Sequence, residues 1–284
     1  MTSPGTLFVV ATPIGNLEDI TLRALRTLRE ADVIAAEDTR HTAKLLRHYE
    51  IRTRLLSLHE HNEYARIPTV IDWLNAGKSV ALVSDAGTPA ISDPGAALVR
   101  AVRAAGLPVV PIPGPSVITT VMSAAGLSNT PFAFVGFPPA RGNDRKQWFA
   151  RAAALEDIAV VWFEAPHRLR RTLQELAAYL VERPISLARE LTKRHEEWQQ
   201  GTARELLTLN ADPRGEYVIV IHPSSSSTDI PARVSDEIVA NLFGQLTNIN
   251  AFSRRAAIRA VAERLKLPAR EIYAAIERVK SSGV

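Results

Sequence analysis

The sequence predicts an α/β protein made of two α/β domains and a small helical appendage. Three observations predict it. Residues 1–113 alternate short β-branched runs with stretches of helical spacing, residues 114–224 carry a second set of strands with two connections too short for a helix, and residues 229–284 read as helices after a serine run. Strand, helix, strand in that order requires crossovers and so a mostly parallel sheet. Short connections require antiparallel neighbours, so the second sheet is mixed. The length agrees, because 284 residues exceed one compact core of ordinary size.

In the first domain TLFVVA (6–11), DVIAAE (32–37), RLLSLH (54–59), SVALVS (79–84) and LPVVPI (107–112) read as strands. Between them LEDITLRALRTLRE, TRHTAKLLRHY, NEYARIPTVIDWLNAG and DPGAALVRAVRAAG have helical spacing. The last opens with Asp93 as the expected N-cap and Pro94 at the first helical position, and stops at Gly106. In the second domain the strands are PFAFVGF (131–137), DIAVVWFEA (157–165), PISLARE (184–190), HEEWQQG (195–201) and GEYVIVIH (215–222), with helices near 144–155 and 166–181. PPARGND (138–144) reads as a mobile basic loop and SSSSTD (224–229) as a flexible linker. Three helical stretches follow, and SRRAAIRAVAERLK and PAREIYAAIERVK pair across Leu267-Pro268 like a helix-turn-helix, a pattern more common in plain packing than in nucleic-acid reading.

Composition narrows the function classes. With 46% hydrophobic and 23% charged residues the chain belongs to the globular class, and with no cysteine it has no disulfide, thiolate metal site or cysteine nucleophile. A reducing, cytoplasmic setting fits. No run approaches bilayer-spanning length and the N-terminus lacks a secretion-signal pattern, so a soluble protein with no membrane partner is expected. The net charge of +4 permits an anionic partner, and an excess of three positive charges falls in residues 229–284.

Each of the five N-terminal strands is followed by a polar or breaker-rich segment: TPIGN, EDTR, HEHNE, SDAGTPAISDPG and PGPS. In a parallel sheet these share the edge beyond the strands' carboxyl ends, where ligands bind. The first loop is not a dinucleotide glycine pattern, and no Walker loop is present. Asp93 at its helix start, with Asp85, Glu37 and Asp38 nearby, makes the edge unfavourable for phosphate and suited to a neutral or partly cationic small molecule. S-adenosylmethionine is such a molecule, though the residues select the class rather than the member. Pro89 and Pro94 stiffen a turn whose glycines let the ligand approach the main chain. His59 and His61 lack a third ligand, so no metal is expected, and no G-x-S-x-G supports hydrolase chemistry.

Taken together, TPIGNLEDIT, EDTRHTAKLL, SDAGTPAISDPG, PGPS, FEAPHR, RELTKRHEE and GEYVIVI resemble the ribosomal small-subunit RNA 2′-O-ribose cytidine methyltransferases of the tetrapyrrole methylase superfamily. The resemblance runs over nearly the whole chain. It implies a class III methyltransferase fold with S-adenosylmethionine in the cleft between two α/β halves, a homodimer, and methylation of a decoding-centre cytidine in 16S rRNA of the small ribosomal subunit. Carried over by motif, the donor is held by Pro13, Ile14 and Gly15, by Asp85, Gly87, Thr88 and Ile91, and by Ser116 and Val117. Tetrapyrrole methylases proper have a longer glycine-rich first loop than TPIGNLED, which argues against a porphyrinoid acceptor, and FEAPHR has Phe163 and Ala165 where relatives often carry Tyr and Ser.

Methyl transfer from a sulfonium needs positioning first, and then a base or cation near the weakly acidic ribose hydroxyl. Asp38 and Lys193 are the favoured candidates, ahead of Glu37, Glu190 and His59. Arg40, His41, His59, Arg141, Arg145, Lys146, Arg168 and Arg189 are the expected RNA contacts. Two other readings stay open: the same donor with a tetrapyrrole or protein acceptor, and a non-catalytic RNA-binding assembly factor.

Overall fold

A computed structural model describes residues 3–180, 182–210, 213–224, 236–248, 253–265 and 267–281. By internal contacts the chain separates into residues 1–225 and residues 226–284.

The first unit holds both sheets. Strands β1 (Leu7–Val10), β2 (Val33–Ala36), β3 (Arg54–Ser57), β4 (Val80–Val83) and β5 (Val109–Ile112) form an all-parallel sheet in the order β3-β2-β4-β1-β5. All five lie inside the stretches the sequence marks as strands. Helices α1 (Leu22–Glu30) and α2 (Thr39–His48) cover one face, where Leu28, Leu45 and Leu46 meet Val10, Ile34 and Val83. Helices α3 (Glu63–Asn75) and α4 (Ala96–Ala104) cover the other, where Val70, Leu74 and Leu98 meet Leu7, Val80 and Leu82. The alternation of Val80 and Leu82 against Ala81 and Val83 is what lets four-residue strands feed two cores.

The second sheet runs β6-β7-β10-β8-β9, from β6 (Phe132–Phe134), β7 (Ala159–Glu164), β8 (Ile185–Arg189), β9 (Glu197–Gly201) and β10 (Tyr217–Ile221). Only β6 and β7 pair in parallel; the rest are antiparallel, giving the expected mixed sheet. Helices α6 (Gly142–Ala154), α7 (Pro166–Tyr179) and α8 (Ala203–Leu209) pack Phe149, Leu173 and Leu206 on the face of Trp162 and Ile219, and α5 (Val117–Ala124) sets Val121 on the face of Val161 and Val220.

Three sequence expectations need correction. The segment 138–144 is not wholly loop, because α6 begins at Gly142. Helices α5 and α8 lie where the sequence reading assigns no element. Asp93 is not the cap of α4. That helix begins at Ala96 behind Gly95, whose φ of 117° only glycine adopts freely and whose missing Cβ leaves room for Leu82, otherwise 2.6 Å away. The amide groups at this helix end are taken by the buried Glu63 of α3, whose Oε1 accepts from Gly95 N (3.1 Å) and Leu98 N (2.9 Å).

In the second unit α9 (Asp236–Asn248), α10 (Arg254–Leu265) and α11 (Ala269–Ser281) surround Val239, Val261, Ile272 and Ile276. Arg254 pairs with Glu277 at 2.5 Å and Arg278 with Asp236 at 2.7 Å. Residues 225–229 of the expected linker lie outside the described residues. Among the described residues no helix is long and apolar enough to cross a membrane.

Candidate active site

The carboxyl ends of β1, β4 and β5 bring three of the marked segments together. Thr12 and Gly87 exchange both backbone hydrogen bonds, at 2.9 and 3.0 Å, and the Thr12 hydroxyl donates to Ser84 O at 3.1 Å. The Thr88 hydroxyl donates to Pro115 O at 3.3 Å and ties the loop after β4 to the loop after β5. Within 84–95 the backbone is left-handed at Gly87 (77°), Ala90 (67°), Ser92 (62°) and Gly95 (117°). Two of these are non-glycine residues in a conformation that costs of order 1–2 kcal/mol each. The surrounding stitches hold it in that shape.

Facing this loop is the second sheet, and between them lies a cavity of about 420 Å³. The first sheet's side contributes Gly87, Thr88, Ile91, Asp93, Ser116 and Val117; the second contributes Phe137, Phe163, Glu164, Glu216 and Tyr217. Among the described residues none of the lining side chains is Lys, Arg or His. The Ser116 hydroxyl makes no capping bond although it stands at the N-cap of α5.

Beneath the second wall, FEAPHR forms a buried polar network. Glu164 accepts from the Thr172 hydroxyl and from Ala165 N (3.1 Å), and pairs with Arg168 at 3.2 Å. Arg168 also donates to Pro138 O and Pro139 O. Arg145, with its side chain 1% exposed, bonds Glu175 (2.7 Å), Thr172 (2.7 Å) and Pro139 O (3.0 Å). These two arginines fix the loop that carries Phe137, whose ring sits 5.2 Å from that of Phe163. Arg145 is therefore no RNA contact: no phosphate reaches a buried guanidinium already in use. Arg168 is likewise spent inside the protein.

The acidic edge is graded. Asp38 caps α2 by accepting Arg40 N at 2.8 Å and binds the Arg40 guanidinium in a two-pronged pair (3.2 and 3.0 Å). The hydrogen bonds from Arg40 hold its carboxyl down at about 2, a poor proton acceptor. Burial raises Glu37, against the opposing hydrogen bond from Asp85 N (3.3 Å) and with the charges of Asp85 and Asp38 adding to the rise. Burial also pushes Asp93 up to about 6, with the charges of Glu37 and Asp85 adding and a hydrogen bond from Ser84 opposing.

The remaining expected site residues divide. Gly87, Thr88, Ile91, Ser116 and Val117 line the cavity; Pro13, Ile14, Gly15 and Asp85 do not. Asp85 joins the ends of β2 and β4, its carboxylate accepting Asp38 N at 3.0 Å. Gly15 packs against the second sheet's loop, since a Cβ there would fall 2.7 Å from Leu191 O and 2.6 Å from Thr192 Oγ1. Lys193 lies with Gly15 and Arg194 in a separate, shallower depression. Its ammonium is bound by Glu190 (3.0 Å) and Glu216 (2.8 Å); burial opposes its charge, but those two carboxylates raise its proton affinity, so it is no base at neutral pH.

Arg141, Lys146 and His41 are exposed, Arg189 is tied to Arg214 O (2.7 Å) and Glu197 (3.1 Å), and His59 meets Asn62 through Nε2 at 3.1 Å. Sequence reasoning missed Phe137, Glu216 and Tyr217. Their motifs were visible, but a cavity wall drawn from the far sheet has no periodicity to announce it.

Comparison with known proteins agrees with this geometry. The family described as Tetrapyrrole (Corrin/Porphyrin) Methylases matches residues 6–207. "Ribosomal RNA small subunit methyltransferase I" of Synechocystis sp. is 42% identical over 98% of this chain and 100% of its own length. Its namesake in Neisseria meningitidis serogroup B is 43% identical over 85% of this chain and 90% of its own. Among solved structures, the methyltransferase CobJ superposes with a TM-score of 0.60 at 20% identity, covering 78% of this chain and 95% of CobJ. Uroporphyrin-III C-methyl transferase from Thermus thermophilus, complexed with S-adenyl homocysteine, superposes with a TM-score of 0.55 at 17% identity, covering 77% of this chain and 97% of that one. At such identities the two structures establish the fold; the full-length matches establish more, and the chain belongs to the Tetrapyrrole (Corrin/Porphyrin) Methylases and, within them, to the family of the ribosomal RNA small subunit methyltransferases I.

Proposed function

We propose that the chain transfers a methyl group from S-adenosylmethionine to a ribose 2′-hydroxyl of a cytidine in the decoding centre of 16S rRNA. The observation that carries this reading is the cavity between the two sheets, lined by carboxylates and apolar groups with no cation among the described residues. That lining fits a cationic donor. When bound, S-adenosylmethionine supplies an activated methyl group whose departing sulfur becomes neutral.

The chain's own residues supply position and a dry wall. Gly87 and Thr88 offer main chain that a small molecule can approach. The first amide groups of α5, behind Ser116, suit the donor's carboxylate. Ile91, Phe137, Phe163 and Tyr217 exclude water around the reacting carbon. Holding donor and acceptor in line turns an encounter of two molecules into a single oriented step, the largest contribution positioning can make.

The names of the full-length relatives support small-subunit ribosomal RNA as the acceptor. We extend this to the cytidine 2′-hydroxyl, the small ribosomal subunit as its setting, the cytoplasm and a homodimer, as the resemblance of the motifs suggests. Incubation with labelled donor and unmethylated small subunits, followed by mapping of the label, tests it. Transfer to one 2′-oxygen is expected; label only on added tetrapyrrole or on protein overturns it. Titration calorimetry that detects no donor or demethylated product would remove the enzyme altogether and leave an RNA-binding assembly factor. Sedimentation should show a single species of twice the chain's mass.

A further inference from the structure

We propose that Asp93 is the proton acceptor of the methyl transfer, a role that rests on the methyltransferase reading above. Three carboxylates line the cavity, and two are neutralised in place: Glu164 by Arg168 and Glu216 by Lys193. No cation pairs with Asp93 among the described residues. Nor is it engaged at the helix end that its sequence position suggests, because Glu63 holds those amides. Its neighbour Ser92 is left-handed at 62°, a strained conformation for a non-glycine residue, and the carboxylate's one side-chain hydrogen bond comes from the neutral Ser84.

The charges that act on it most are both negative, Glu37 and Asp85, and the cations across the cavity, Arg168 and Lys193, are committed to Glu164 and Glu216. Glu37 stands at the end of β2, Asp85 in its own loop, Glu63 behind it on α3, and Glu164 and Glu216 across the cavity. Burial and the charges of Glu37 and Asp85 give it a proton affinity close to neutrality, where a general base works best. The other candidates fail on position or strength. Asp38 is exposed and committed to Arg40, Glu37 is outside the lining, and Lys193 keeps its proton.

The step balances as follows. The acceptor oxygen forms its bond to the methyl carbon as the carbon–sulfur bond breaks, the bonding pair stays on sulfur, and the hydroxyl proton passes to the Asp93 carboxylate. Asp93 becomes more basic during this step, because the positive charge beside it disappears as the methyl group leaves. After release of the products the proton returns to water.

The test compares the full-length protein with Asp93→Asn and Asp93→Glu. Asparagine is nearly isosteric and removes a desolvated charge, so the variant folds. The expected result is a single-turnover methylation rate reduced by about 10²–10³-fold in D93N, with partial recovery in D93E. Donor dissociation constants from calorimetry should rise, since a lining charge is removed, but by much less than the rate falls. The wild-type rate should fall on the acid side of about pH 6, and that limb should be absent from D93N. Independently of activity, infrared difference spectra of the unliganded protein should show a carboxyl group titrating in that region that D93N lacks. Three results would overturn the proposal: a D93N rate within about fivefold of wild type, a loss of donor affinity that accounts for the whole rate loss, or no such carboxyl band. A wild-type protein that methylates nothing at any pH would instead sink the methyltransferase reading, and this one with it.

Discussion

Asp93 and Arg145 are both partly or wholly withdrawn from water, and the fold treats them in opposite ways. Arg145 has each of its three guanidinium nitrogens answered, by Glu175, Pro139 O and Thr172, with Glu164 4.0 Å away. Cutting it to alanine strands buried carboxylates, so R145A should lose about 3–5 kcal/mol in a denaturant titration rather than affinity for RNA. Asp93 has no cation, and its carboxyl sits at about 6 against 3.8 when free. Between those pH values the folded state holds the proton more tightly than the unfolded one. Stability contributed by the protonated group is therefore present at low pH and is lost as pH rises through about 6. Asparagine escapes that loss. D93N should match wild type near pH 4 and be more stable above about pH 7, by about 1–2 kcal/mol once solvent screening of a partly exposed group is allowed for. Thermal melts at the two pH values check it, and a D93N protein less stable than wild type at the higher pH would contradict the assigned proton affinity. Gain of stability with loss of activity is the signature of a group kept for function.

At the scale of elements, glycines in two neighbouring loops do different work. Gly87 is in the left-handed region and has room, since an added Cβ would meet Ile14 at 3.4 Å. Gly15 has ordinary backbone freedom to spare but no room, with Leu191 O at 2.7 Å and Lys193 Cγ at 2.5 Å from the same test atom. G87A should thus strain the cavity's own lip and weaken donor binding measured by calorimetry. G15A should push the 191–193 loop away, cost about 1–3 kcal/mol in stability, and leave donor affinity less affected. The reverse ranking of the two donor affinities would mean that the first loop, not the loop after β4, grips the donor. Much of this architecture is legible in the sequence: ten strands and nine of the eleven helices lie in the stretches that patterning marks. Helix α5 is hidden because Val117, Ile118, Thr119, Thr120 and Val121 carry strand-favouring branches, and only packing of Val121 on the second sheet settles the matter. Helix α8 did carry a signal, the Thr202 and Glu205 capping box, which the structure forms in full. The loop after β4 was legible by its breakers, whereas the exchange of capping duty between Asp93 and Glu63 was not: thirty residues of chain separate the two, and only the packing of α3 against α4 brings them together.

Over the whole molecule, charge is sorted. A chain of net charge +4 keeps Lys, Arg and His out of its cavity lining among the described residues, and leaves Arg141 and Lys146 exposed at the start of α6. The consequence is a division between a face suited to an anion and a cavity suited to a cation. On the proposed reading, RNA phosphates go to exterior cations and the cationic donor goes to the cavity whose lining carries carboxylates and no cation among the described residues. Such sorting can be measured, because each phosphate contact releases counterions and steepens the salt dependence of RNA binding by about 0.7 for single-stranded RNA. Replacing Arg141 and Lys146 together by alanine should lower the slope of log affinity against log salt by roughly 1 to 2 and weaken binding to all RNA sequences alike. Donor affinity should not move, because neither residue lines the cavity. An unchanged slope would take this face out of the RNA path and direct attention to other exposed cations, among them Arg40, Arg194 beside Gly15, and Arg255 and Arg259 on one side of α10. A slope that falls together with donor affinity would mean that RNA and donor share one site, against a cavity lining that holds no Lys, Arg or His among the described residues.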